Sequence, residues 1–121
     1  MLFRSQIGRQ ITEDYQDKNL LMVSVLKGSV VFMADLMRAV DCPARIDFMS
    51  VSSYGSGTKT SGVVKIVKDL DLNLEGYDLL LVEDILDSGR TLYYLREILE
   101  KRNPASIRIA TLLNKIGRAH V

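Results

Sequence analysis

The sequence predicts an α/β domain: a mostly parallel central sheet flanked by helices. Three observations carry that expectation. Residues 20–26 and 79–82 are short, nearly continuous apolar runs of the kind that form strands buried on both faces. Segments with helical periodicity follow them, through Phe32, Leu36, Ala39 and Val40 and again through Leu92, Leu95 and Leu99. Strands alternating with helices imply right-handed βαβ units and hence a mainly parallel sheet.

Taken in order, Ile7, Ile11 and Tyr15 recur every four residues, so residues 6–17 read as the end of an amphipathic helix. The strand at 20–26 is broken by Lys27-Gly28-Ser29, and the helix that follows stops at Cys42-Pro43. Ile46, Phe48 and, less cleanly, Val51 mark a strand with alternation. Residues 52–62 hold three glycines, four serines and two threonines, a loop of the length that is usually functional or disordered. Residues 63–67 form another strand. Residues 70–77 turn the chain, with Gly76 as punctuation. The central strand begins at Tyr77 or Asp78 and runs to Val82. The next helix is closed by Asn103-Pro104, and residues 107–113 are the last strand.

A chain of 121 residues is one domain at most. With 47% hydrophobic and 26% charged residues it has the composition of a soluble globular protein. Its net charge of +1 gives no reason to expect nucleic acid or a membrane surface as partner. The single Cys42 rules out an intrachain disulfide and suits a reducing, cytoplasmic setting. No run approaches the ~18 apolar residues of a spanning helix, and the N-terminus lacks a signal-peptide profile. The only histidine, His120, supports neither a histidine metal cluster nor a Ser-His-Asp triad. Cys42 reads as inert packing, and Tyr93-Tyr94 as helix surface and core.

Residues 1–5 and 116–121 fit neither neighbouring pattern. One short DNA string, read on opposite strands, encodes Leu2-Phe3-Arg4-Ser5 at one end and Ile116-Gly117-Arg118-Ala119 at the other, and it resembles a common sequencing adapter. The expected core is therefore residues 6–115, with both ends non-native and excluded from fold reasoning. Different codons in the source DNA would contradict this.

The richest segment is Val82-Glu83-Asp84-Ile85-Leu86-Asp87-Ser88-Gly89-Arg90-Thr91-Leu92. An acidic pair ends a buried strand, and a small polar loop opens a helix. In open α/β sheets ligands bind at such crossings. A helix start offers free N–H groups and a positive dipole end, which suit a phosphate. Carboxylates can accept hydrogen bonds from vicinal ribose hydroxyls and can hold Mg²⁺. Gly89 permits close backbone approach. A solvated acidic strand end before an N-capped helix is the bland alternative. The apolar run before the segment and the loop chemistry after it count against that alternative.

Residues 82–92 resemble the phosphoribosyl-pyrophosphate (PRPP) motif of the type I phosphoribosyltransferases, whose core is Rossmann-like. Other segments narrow the resemblance to the hypoxanthine(-guanine) phosphoribosyltransferases. Val25-Leu26-Lys27-Gly28-Ser29 resembles their pyrophosphate loop. Asp47-Phe48-Met49 through Ser52-Ser53-Tyr54-Gly55 resembles their mobile loop with its strand. Thr111-Leu112-Leu113-Asn114-Lys115 resembles the strand bearing their purine-reading lysine. Four motifs in the family's order span nearly the whole chain.

The resemblance implies transfer of a 5-phosphoribosyl group from PRPP to hypoxanthine, and often guanine, with Mg²⁺ as cofactor and pyrophosphate released. Glu83 and Asp84 match the acids that engage the ribose hydroxyls and the metal. Asp87, Ser88, Gly89, Arg90 and Thr91 match the 5′-phosphate cradle, although position 90 varies in the family. Asp87 also matches the general base near purine N7. Lys27 and Gly28 match the pyrophosphate site, where a non-proline cis peptide between Leu26 and Lys27 is implied; a plain strand-to-helix turn would also fit these residues. Ser53 and Tyr54 match the loop that closes over PRPP, where an ordinary surface hairpin is the alternative. Lys115 matches the lysine that donates to the purine 6-oxo group. The family's remaining base-pocket residues follow this point, so the isolated chain is expected to be poorly active, and its last strand to be a sheet edge. The parent is expected to be a homo-oligomer. A non-catalytic nucleotide-binding regulator of this fold, or a transferase for xanthine or a pyrimidine, are the competing readings; Asp87 and the Lys27-Gly28 loop argue against the regulator.

Overall fold

The computed structural model describes residues 2–53, 64–86 and 90–114. Along the chain these form α1 (Leu2–Asp14), β1 (Leu20–Val25), α2 (Val30–Ala39), β2 (Ala44–Ser53), β3 (Val64–Lys68), β4 (Asp78–Leu86), α3 (Arg90–Glu100) and β5 (Ser106–Asn114). The strands lie in the order β3-β2-β1-β4-β5. β1 is parallel to β2 and β4, and β4 is parallel to β5. Only β3 runs antiparallel, paired to β2 across a register shift between Ser50 and Val51.

Alternation along each strand divides the apolar runs between two cores. Leu20 and Met22 of β1, with Leu80 and Val82 of β4 and Ala110 of β5, pack on Ile7 and Ile11 of α1, on Tyr15, and on Phe32, Met33 and Leu36 of α2. Leu21 and Val23, with Leu79 and Leu81, face the other way, toward Leu95 and Leu99 of α3 and Leu74. Both faces are covered, which is why β1 reads as a nearly continuous apolar run, broken only by Ser24.

α1 closes against α2 through Gly8. A Cβ there would lie 2.7 Å from the Ala39 carbonyl oxygen, so only glycine allows this approach. Thr12 Oγ1 donates to Gly8 O at 2.8 Å and accepts from Asp41 N at 2.8 Å, fastening the same contact. Gly76 turns with φ +84°, a conformation that favours glycine.

Three expectations shift. The 78–82 strand extends through Leu86, because β5 continues beside it with Glu83 opposite Thr111, Ile85 opposite Leu113 and Leu86 opposite Asn114. The middle strand is β1 rather than β4, and β5 forms the expected edge. The first helix ends at Asp14, and Tyr15 continues it only as a turn, donating to Ile11 O at 2.9 Å. The Tyr15 hydroxyl has no hydrogen-bond partner among the described residues; burial pushes its pKa up, and the nearby Arg108 offsets part of that.

Candidate functional site

Because β1, β2, β4 and β5 are mutually parallel, their carboxyl ends share one edge of the sheet. The chain leaves that edge at Leu26-Lys27-Gly28 after β1, beyond Ser53 after β2, beyond Leu86 after β4 and beyond Asn114 after β5. Each of the four sequence motifs thus includes the carboxyl end of one of these parallel strands. β1 leads through α2 to β2 on one side, whereas β4 leads through α3 to β5 on the other. The strand order reverses between β1 and β4, and α2 and α3 lie on opposite faces. That reversal is the switch point at which open α/β sheets bind ligands.

On the β1 side, Lys27 and Gly28 are exposed and follow a cis peptide bond between Leu26 and Lys27, as the resemblance implied. Leu26 N donates to Met49 O at 2.7 Å, and Val30 N donates to Lys27 O at 3.1 Å, so backbone bonds close both ends of the turn. Among the described residues, a Cβ added at Gly28 would meet nothing within 4 Å.

On the β4 side, the pairing with β1 ends at Ser24 opposite Val82, so Glu83 and Asp84 are the next residues of β4 beyond it. Glu83 is half-buried. α3 starts at Arg90, directly after residues 87–89 in the chain. A helix start there presents partial positive charge. The backbones of Asp84, Arg90, Thr91 and Ser53 belong to these elements. Asp87, Ser88, Gly89, Tyr54 and Lys115 lie outside the described residues.

The base of the β2–β3 hairpin holds polar groups that the sequence reading did not single out. Asp47 is buried, and its Oδ1 and Oδ2 accept from Phe48 N at 2.8 Å and Asp71 N at 2.9 Å. Lys68 Nζ lies 4.0 Å from Asp47 Oδ1 and donates to Phe48 O and Asp69 O. Arg102 binds both oxygens of Asp69, at 2.9 and 3.0 Å. The Arg102 hydrogen bonds hold the Asp69 carboxyl below the usual carboxylate range, partly opposed by burial.

A groove of about 210 Å³ lined by Met22, Met37, Val40, Cys42, Ala44 and Ile46 opens beside α2, toward the amino half of β2. Its lining side chains carry no charge, and burial pushes the Cys42 thiol up, away from the reactive thiolate. With no charged side chain in that lining, the candidate site remains the carboxyl edge. Tyr93 and Tyr94 are both on the surface, in edge-to-face contact with centroids 5.5 Å apart, and neither is core.

The reversal point between β1 and β4, with the exposed Lys27-Gly28 turn and the acidic strand end beside it, defines an open, mostly parallel α/β domain of the kind that binds ligands at such a point. The family model for the phosphoribosyl transferase domain matches residues 6–120, and the chain belongs to that family. Within it, the chain is 57% identical over 110 residues to a hypoxanthine-guanine phosphoribosyltransferase of Streptococcus pyogenes serotype M3, covering 91% of this chain and 61% of that protein. It is 53% identical over 115 residues to the hypoxanthine-guanine phosphoribosyltransferase of Dictyostelium discoideum, covering 92% of this chain and 64% of that protein. A solved hypoxanthine phosphoribosyltransferase from Staphylococcus aureus superposes with a TM-score of 0.90 at 44% identity, over 99% of this chain and 66% of that one. The chain therefore spans a little over three-fifths of the length of the curated relatives it matches. Among the described residues no helix is long and apolar enough to cross a membrane.

Proposed function

We propose that this chain carries the PRPP-binding half of a hypoxanthine(-guanine) phosphoribosyltransferase of cytoplasmic purine salvage. The reaction moves the 5-phosphoribosyl group of PRPP to hypoxanthine or guanine, giving IMP or GMP and pyrophosphate. The observation that carries this reading is the adjacency of β1 and β4 at the reversal point. It makes the Lys27-Gly28 turn, after β1, the neighbour of the Glu83-Asp84 end of β4, which the start of α3 follows.

As pyrophosphate leaves, the ribose C1 becomes cation-like, so the protein's work is positioning, leaving-group stabilisation and exclusion of water. Lys27 and Gly28 receive the pyrophosphate. Glu83 and Asp84 hold the ribose hydroxyls. Asp87 accepts the proton lost from purine N7, and Ser88, Gly89, Arg90 and Thr91 surround the 5′-phosphate. Ser53 and Tyr54 shield the reacting ribose from water, and Lys115 donates to the purine 6-oxo group.

Among the described residues no group of three or more histidine, cysteine or acidic side chains could hold a metal by itself. Mg²⁺ commonly takes one or two carboxylates and completes its shell with water and substrate phosphates. Glu83 and Asp84 are the residues that would hold it. Bound there, it would supply charge neutralisation for the pyrophosphate. A homo-oligomer belongs to the same reading; Val30, Val31 and Met37 on α2 are exposed apolar residues available to such an interface.

Titration calorimetry with PRPP tests the proposal. Binding that requires Mg²⁺ and weakens at least about tenfold in Asp84→Ala is the expected result. A folded sample that does not bind PRPP would contradict it.

A further inference from the structure

Lys27 and Gly28 face solvent, yet the turn that carries them stands on two hydroxyls with no exposed surface, Ser24 and Ser29. Ser24 lies on β1 between Phe48 of β2 and Val82 of β4, where it interrupts the apolar run. Ser29 immediately precedes α2. Their Oγ atoms are hydrogen-bonded to each other, and Ser29 Oγ donates to Val25 O at 3.0 Å. A hydroxyl has a single proton. With that of Ser29 given to Val25, the proton between the two side chains comes from Ser24. The result is a directional chain, Ser24 to Ser29 to the Val25 carbonyl.

Ser29 occupies the N-cap position of α2, where a serine ordinarily accepts from a first-turn N–H. Here it makes no such bond. Its side chain turns back to β1 instead, joining the two limbs of the turn from below. Among the described residues nothing lies within 4 Å of a Cβ built on Gly28. The conformation of Lys27-Gly28 is thus held by the buried pair and the two backbone bonds from Leu26 and Val30.

We propose that Ser24 and Ser29 are positioning residues for the pyrophosphate of PRPP: their hydroxyl chain holds the Lys27-Gly28 turn in the shape that receives the anion, without touching it. This rests on the reading that the turn is the pyrophosphate site.

The test is titration calorimetry of the full 121-residue chain with magnesium pyrophosphate and, separately, with ribose 5-phosphate, which lacks the pyrophosphate. Ser29→Ala and Ser24→Ala should each weaken pyrophosphate binding about tenfold while ribose 5-phosphate binding stays within about twofold. The double variant Ser24→Ala/Ser29→Ala removes both hydroxyls, so neither serine is left buried without its partner. It should regain the melting temperature lost in Ser29→Ala but not the pyrophosphate affinity. It also carries the test if a single variant fails to fold. Unchanged pyrophosphate affinity in a folded variant, or equal weakening of both ligands, would overturn the positioning role alone. Absence of pyrophosphate binding by the unaltered chain would overturn the assignment of the turn and this role with it.

Discussion

At the amino ends of the central strands, one carboxylate ties three strand starts together. Asp78, the first residue of β4, accepts from Asn19 N just before β1 at 3.1 Å and from Ser106 Oγ at the start of β5 at 2.8 Å, while its own N–H donates to Asn19 O. At the carboxyl ends of the same strands, Glu83 and Asp84 stand where β4 has outrun β1, beside an exposed lysine and glycine. One residue class serves both edges. At the first edge its acceptor capacity is used by the fold. At the second the strands open into turns, and a helix start adds positive potential for an anionic ligand. Carboxylates of the amino edge should therefore matter for stability, and those of the carboxyl edge for binding.

Asp78→Ala probes the first half of that contrast. Losing two hydrogen bonds at the strand starts should cost about 1–3 kcal/mol in urea unfolding, with PRPP affinity held within about twofold. A large loss of affinity in a folded Asp78→Ala would break the contrast. Lys27→Ala probes the other half. Removing one exposed charge from the turn should weaken magnesium pyrophosphate about tenfold and leave the unfolding midpoint in place. An equal loss of stability would make Lys27 a structural residue.

The Asp69–Arg102 pair provides the smallest effect and calibrates the scale. It is a bidentate but partly exposed contact, so Asp69→Asn should cost less than about 1 kcal/mol, and less still at high salt. Arg102 depresses the Asp69 pKa in the folded state. Its contribution is therefore present above the unfolded carboxyl pKa of about 3.9 and disappears as pH falls through the lower folded value. The stability gap between the chain and Asp69→Asn should close on acidification below about pH 4.

The elements whose apolar residues face a core were legible in the sequence. Ile7, Ile11 and Tyr15, then Phe32 and Leu36, then Leu95 and Leu99 all point inward as their spacing indicates. The antiparallel sense of β3 was not legible, because a run such as residues 64–68 reads the same in either direction. The length of β4 was hidden by Glu83 and Asp84, whose polarity resembles a strand end although β5 continues the pairing. Of the candidate site, the shared edge follows from strand order, and Lys27 and Gly28 are exposed beside the reversal point as expected. The Ser24–Ser29 contact escaped notice because a serine before a helix reads as a cap. Its one sequence signal was Ser24, a hydroxyl set inside the apolar run of β1. Asp47 and Lys68 were missed because they meet across a hairpin, at a separation that no local pattern reports.

The most direct test of the central claim is a backbone amide NMR titration of the chain with PRPP and Mg²⁺. The account predicts shifts concentrated at Leu26 to Ser29 and at Glu83 to Leu92, with Asn19, Asp78 and Ser106 unmoved. Shifts centred on the amino edge, or no shifts at all in a folded sample, would contradict it.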